Sequence, residues 1–110
     1  MFKVVTPKQF KQEIELVIPG LEAPAKVEIE FKYVRPADLT DYFKGFGTKP
    51  LVDGLSEVII SWTGFVDEAD TPIPFSKEAL QNLQEDFHSV PDQILQGWLV
   101  GLGAARLKNW

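Results

Sequence analysis

W-T-G-F-V-D-E-A-D-T-P-I-P-F-S-K-E-A-L-Q-N-L, residues 62–83, joins two helical patterns through an acidic loop that carries two prolines. Gly64 follows the last residue of the first pattern, where a glycine takes the left-handed conformation at little cost. Pro72 and Pro74 cannot lie inside a helix and push the residues before them toward extended conformations. Ser76 is a good N-cap for the second pattern. Phe75 and Leu80 have the spacing of a hydrophobic staple, and Glu78 places a negative charge in the first turn. The two ends of the loop are therefore set by local chemistry, while its middle is polar.

Upstream of this stretch, Leu51, Leu55, Val58, Ile59 and Trp62 recur at helical spacing and predict a helix over about 49–62. Thr48 is the expected N-cap, with Pro50 in the first turn. Val52 and Ile60 widen the apolar face, and Gly54 weakens the pattern. The β-branched run Val58-Ile59-Ile60 would also suit a strand, but the wider period is 3.6. A shorter helix is expected over about 36–46, opened by Pro36 and Asp38 and presenting Leu39, Tyr42, Phe43 and Phe46 on one face. Gly45 and Gly47 are expected to end it. Such a helix would not be stable alone.

Downstream, Leu80, Leu83 and Phe87 extend the third helix over about 77–88. Ser89 then caps a last helix over about 90–107, with Pro91 and Asp92 in its first turn. Ile94, Leu95, Trp98, Leu99 and Leu102 line one face, and Gly97, Gly101 and Ala104 form a seam of small residues on another. Arg106 and Lys108 lie near the C-terminus, where positive charge suits the dipole.

The N-terminal third has a different period. Residues 1–8 are ambiguous, since Pro7 limits any strand begun by Phe2 and Val4. Phe10, Ile14, Leu16 and Ile18 then alternate with polar positions, interrupted at Gln12. After Pro19-Gly20 and Pro24, Ala25, Val27, Ile29, Phe31 and Tyr33 alternate with Lys26, Glu28, Glu30 and Lys32. These runs predict an antiparallel hairpin over about 9–34 with one wet face. A lone hairpin is marginal and needs cover, which the helices supply. The expected fold is α+β: an N-terminal β-hairpin followed by about four short α-helices in a small bundle, one domain over residues 1–110.

Composition excludes several chemistries. The chain has 110 residues, 45% of them hydrophobic, which suffices for a core. Its net charge of −5 argues against nucleic acid and against an anionic membrane surface as partner. It has no cysteine, which removes disulfides, thiolate chemistry and Cys-based zinc sites, and its single His88 cannot build a multi-histidine metal site. No leader-like apolar run opens the chain and no stretch approaches a membrane span. A soluble cytoplasmic protein is the expectation.

No motif carries catalysis, so no catalytic, cofactor or metal residue is expected. Asp67-Glu68-Ala69-Asp70 lacks the alternating acids, glycine and terminal glutamate of an EF-hand, and reads as a solvated turn. His88 lies near Glu85 and Asp86 but has no nucleophile to serve, and reads as a helix-terminal histidine. None of the serines lies in a nucleophile elbow, and Gly45 and Gly47 lack the spacing of a phosphate loop. Trp62 and Trp98 lie on apolar helical faces and fit a core. Trp110, the last residue, packs back or serves a contact. The Gly97-x-x-x-Gly101 spacing fits close packing within the chain or self-association.

The stretch 62–83 resembles the tail assembly chaperones of long-tailed bacteriophages. The resemblance rests on Trp62, Gly64, Asp67, Glu68, Pro74, Phe75, Ser76, Glu78 and Leu80, and extends to the strand ending F-K-Y-V-R and to the order of helices. Asp70-Thr71 stands where a glycine turn is common in that family, and Ala79 where an asparagine is common. The resemblance implies a non-enzymatic protein that binds the tape-measure protein, helps recruit tail-tube subunits, works in the cytoplasm of an infected or lysogenic bacterial host and is absent from the mature virion. Two other readings stay open: a small structural or connector protein of the virion, and a cytoplasmic adaptor unrelated to phage. The candidate partner surface comprises Leu95, Trp98, Leu102 and Trp110, on or after the last helix beside its small-residue seam.

Overall fold

The structure, a computed structural model, describes residue 4 and residues 6–103, apart from the side chains at 46 and 48. The strand β1 (Gln9–Leu16) pairs antiparallel with β2 (Ala25–Lys32), from Gln9 opposite Lys32 to Leu16 opposite Ala25. Pro19-Gly20 turns the hairpin: the Leu21 N–H donates to the Ile18 carbonyl at 3.1 Å, and Gly20 takes φ +91°. That glycine allows the left-handed second corner after a proline. The alternation is continuous through Gln12, which is half-buried in line with Ile14 and Leu16, so the expected interruption is absent. Lys11, Glu13 and Glu15 of β1 and Lys26 and Glu28 of β2 lie on the exposed face.

Two helices follow, α1 (Pro36–Thr48) and α2 (Leu51–Val58). Pro36 begins α1 as expected, but the helix runs on through Gly45 and Gly47 to Thr48. The expected Thr48 cap is replaced by an extended Lys49 and by Pro50 as the N-cap of α2. Proline sets its own φ there and has no N–H to leave unpaired.

The larger correction concerns residues 59–63. A helix was expected through Trp62, but α2 stops at Val58 and Ile59–Thr63 forms a third strand, β3. Ile59 is extended, at φ −86° and ψ 128°, while its N–H still bonds the Leu55 carbonyl. β3 joins the far side of β2, giving an antiparallel sheet of order β1-β2-β3 among the described residues. Glu28, Ile29 and Glu30 face Thr63, Trp62 and Ser61, but Phe31 faces Ile59, so Ile60 is an extra residue at a β-bulge. The bulge explains why the helical reading failed. In a regular strand, residues three apart point to opposite faces, but one inserted residue brings Ile59 and Trp62 to the same buried face. A bulged strand thus imitates the i, i+3 spacing of a helix.

The helices α3 (Lys77–Asp86) and α4 (Val90–Leu102) complete the fold. The Ser76 side chain accepts the Ala79 N–H at 3.0 Å, the cap anticipated from sequence. Phe75 and Leu80 both join the core. Ser89 is the N-cap residue of α4, but its hydroxyl accepts from the Gln93 side chain at 3.1 Å and bonds no backbone N–H. The α+β class is as expected, with a third strand added. One face of the sheet packs on α4, and α2, α3 and α4 pack on one another. The core contains Ile29, Phe31, Leu55, Leu80, Ile94 and Trp98, all fully buried, and no charged or polar residue is buried among those described. Each such apolar side chain contributes about 1.5–3 kcal/mol relative to exposure.

Candidate functional site

After β3 the chain makes a short arm over residues 65–73. Val66 and Pro72 form an antiparallel bridge, and the Ile73 N–H donates to the Phe65 carbonyl at 2.8 Å. The tip is closed by Asp67. Its carboxylate oxygen accepts the N–H groups of Ala69, at 2.8 Å, and Thr71, at 3.0 Å. Asp67 also exchanges backbone bonds, donating to Thr71 and accepting from Asp70, both at 3.0 Å. Asp70 takes φ +60°, the left-handed region that aspartate tolerates better than most residues. The acidic loop is thus an ordered turn whose first carboxylate faces its own backbone.

Trp62 fastens the arm to the sheet. Its indole N–H donates to the Ile73 carbonyl at 2.7 Å. Its ring lies 4.1 Å from that of Phe65 and meets Phe75 edge-on at 5.0 Å. Gly64 makes the exit from β3 possible. It takes φ +98°, and a Cβ there would lie 3.1 Å from the Lys26 carbonyl oxygen and the Val27 Cα. The left-handed glycine expected at this position is present, though it follows a strand and not a helix.

Between the arm and α3 opens a groove of about 420 Å³. On the helix side it is lined by Ala79, Asn82, Leu83 and Asp86, one stripe at i, i+3, i+4 and i+7 spacing. Trp62, near the end of β3, and Phe65, the first residue of the arm, line it too. Val66, Ile73 and Phe87 also line it and remain 49%, 37% and 41% exposed, so that three open apolar side chains share one groove. The lining carries three carboxylates, Asp67, Glu68 and Asp86, and no lysine or arginine. The indole N–H is already bonded inside the fold and the Asp67 carboxylate serves its own turn. A small-molecule site needs a few convergent polar groups within apolar walls; here the uncommitted polar groups, Asn82, Glu68 and Asp86, are all exposed.

The residues expected to form a partner surface on α4 differ in exposure. Trp98 is fully buried, donates its indole N–H to the Lys32 carbonyl at 3.2 Å and lies 6.3 Å from the Tyr42 ring. A side chain with no exposed area offers nothing to a partner that docks on the folded surface. Leu95 and Leu102 are half-buried against the same core. Trp110 and Ala104 lie outside the described residues, as do Arg106 and Lys108. Gly97 and Gly101 face β1: a Cβ on Gly97 would meet Ile14, with its Cγ1 at 2.6 Å, and one on Gly101 would meet the Phe10 ring edge. The small-residue seam is used by helix-on-sheet packing. His88 is exposed at the junction of α3 and α4.

From sequence, Val66 and Ile73 have no assigned role, and Phe87 enters only as part of the apolar pattern of the third helix. A signal was present: Phe65-Val66 and Ile73 are apolar residues flanking an acidic tip, more grease than a solvated turn needs. Among the described residues, no group of three His, Cys, Asp or Glu side chains is placed to hold a metal ion, and no helix is long and apolar enough to cross a membrane.

An apolar groove beside an exposed helix stripe, with acids at its rim, is the make-up of a protein-docking surface on an α+β scaffold. Comparison with protein families matches residues 1–109 to the family described as phage tail assembly chaperone, and the chain belongs to that family. Its general role is accordingly that of a phage tail assembly chaperone. Comparison with curated proteins and with solved structures finds no match.

Proposed function

We propose that this protein binds the tape-measure protein during tail morphogenesis, covers its apolar helical stripes and helps recruit tail-tube subunits, without making or breaking a bond. It acts in the cytoplasm of the infected or lysogenic host and is absent from the finished particle. The observation that carries this reading is the groove between the arm and α3, where exposed Val66, Ile73 and Phe87 gather around Trp62. Family membership supports the assembly role. A long helical protein exposes apolar stripes before it is enclosed, and a groove of this kind takes such a stripe. The net charge of −5 would keep the resulting assembly apart from others like it.

The test is co-expression with the tape-measure protein of the same phage. Soluble, co-purifying tape-measure protein in the presence of the chain, and insoluble protein in its absence, is the expected result. Mass spectrometry of purified particles should find no stoichiometric copy of the chain. A tape-measure protein that is soluble and unbound would overturn the reading, and a stoichiometric copy in the particle would make the chain a connector.

A further inference from the structure

The exposed apolar side chains, the half-buried stripe of α3 and the sign of the rim charges coincide at one place. We propose that the groove between the arm 65–73 and α3 docks a single amphipathic helix whose apolar stripe is flanked by lysines or arginines. The proposal rests on the chaperone reading for the identity of that partner, and on this surface alone for its chemistry.

Three features define the occupant. The first is shape. Ala79, Leu83 and Phe87 lie one turn apart along the groove side of α3 and its C-cap, with the small Ala79 at the N-terminal end. A helix laid along this stripe can approach to the roughly 8–10 Å between axes typical of packed helices. The second is polarity. The arm opposite presents the apolar side chains of Val66 and Ile73, and part of its backbone is already paired within the arm, through the Ile73–Phe65 and Asp67–Thr71 bonds. A helix brings its own backbone bonds already made and asks only for the apolar side chains that the arm and α3 offer. The third is charge. Glu68 on the arm and Asp86 on α3 are exposed on the two sides of the groove, with Asp67 beside Glu68 and no basic side chain in the lining. Lysines or arginines flanking an apolar stripe would meet carboxylates on both banks, and an acidic helix would be repelled. Rim charges of this kind act on partner choice and association rate more than on affinity.

The test uses two synthetic helices of about 20 residues, long enough to be helical. They share one leucine stripe at i, i+3, i+4 and i+7, flanked by lysines in one and by glutamates in the other. Binding is measured by titration calorimetry against the wild-type chain, Val66→Asp/Phe87→Asp, Glu68→Lys/Asp86→Lys and the control Val100→Asp. Val100 is 55% exposed on α4 and does not line the groove, and all the substituted residues are exposed, so circular dichroism should show an unchanged fold. The lysine helix should bind at least about tenfold more tightly than the glutamate helix, with the difference shrinking at high salt. Val66→Asp/Phe87→Asp should lose about tenfold or more against the lysine helix, Glu68→Lys/Asp86→Lys should reverse the preference, and Val100→Asp should bind as wild type.

Equal binding of the two helices, binding that survives the groove variants, or binding of neither helix overturns the proposal. So does a wild-type dimer that the groove variants dissolve, because the occupant is then a second copy. Co-purification of the tape-measure protein with the same variants separates the two readings. Tape-measure protein retained by Val66→Asp/Phe87→Asp leaves the chaperone reading standing and removes this site; tape-measure protein never bound removes the chaperone reading, whatever the peptides do.

Discussion

The side-chain amide of Gln93 closes both backbone groups of Val17: Oε1 accepts the Val17 N–H at 2.7 Å, and Nε2 donates to the Val17 carbonyl at 2.9 Å. The amide thereby imitates a neighbouring strand just beyond the end of β1 and ties the start of α4 to the hairpin. A hydrogen bond of this kind contributes about 0.5–1.5 kcal/mol net, less where water competes. Gln93→Ala should lower stability by about 1 kcal/mol in urea titration, and Gln93→Glu, which sets a carboxylate oxygen against the Val17 carbonyl, should be no more stable than Gln93→Ala at neutral pH.

Gly97 and Gly47 should respond in opposite directions to alanine. A methyl on Gly97 would press into the buried side chain of Ile14, with Cγ1 at 2.6 Å, whereas one on Gly47 meets nothing within 4 Å. Overpacking costs about 1–3 kcal/mol and outweighs the gain in helix propensity of up to about 1 kcal/mol. Gly97→Ala should therefore destabilise by about 1–2 kcal/mol, and Gly47→Ala should be neutral or stabilise by up to about 1 kcal/mol. Adding Ile14→Val, which removes the Cδ1 methyl, should recover part of the Gly97→Ala loss in a double-mutant cycle.

Trp98 and Val100 lie two residues apart on α4 and should behave unlike each other. Trp98 is fully buried and Val100 is 55% exposed. Trp98→Ala should cost about 3–5 kcal/mol and can leave the chain unfolded, while Val100→Asp should change stability by no more than about 0.5 kcal/mol. Thermal melts followed by circular dichroism check both. A tolerated Trp98→Ala would place that indole outside the core.

The tip of the arm gives a fourth test. Asp70 holds φ +60° and Asp67 accepts two backbone N–H groups with one carboxylate oxygen. A β-branched residue in the left-handed region is strained by at least about 1–2 kcal/mol. Asp70→Val should open the arm to limited proteolysis between Val66 and Pro72, while Asp70→Gly should not. Asp67→Ala should open it as well, because two turn N–H groups lose their partner. Since the arm rests on Trp62, its opening should also red-shift the tryptophan fluorescence.

Much of the architecture could be read directly from residue order. The period of two in Ile14 and Leu16, and again in Val27, Ile29 and Phe31, located the hairpin. The Ser76 cap located the start of α3, and Gly64 announced a left-handed corner. These features are local, since each depends on contacts a residue makes with neighbours a few positions away or with the solvent side of its own element. β3 was misread because a bulge gives Ile59 and Trp62 a spacing that local pattern assigns to a helix. Only pairing with Phe31 and Ile29, about thirty residues earlier, distinguishes the two.

Residue order alone settled that the hairpin strands alternate, that Ser76 caps α3, and that a chain without cysteine has no thiolate or disulfide chemistry. The use of each apolar residue was decided in three dimensions. Trp98 and Phe87 look alike as large side chains on helical stripes, yet one has no exposed surface and the other is 41% exposed. The reason is that burial depends on what arrives from elsewhere in the chain. The hairpin and Tyr42 close over Trp98, while the arm stops short of Phe87 and leaves a groove.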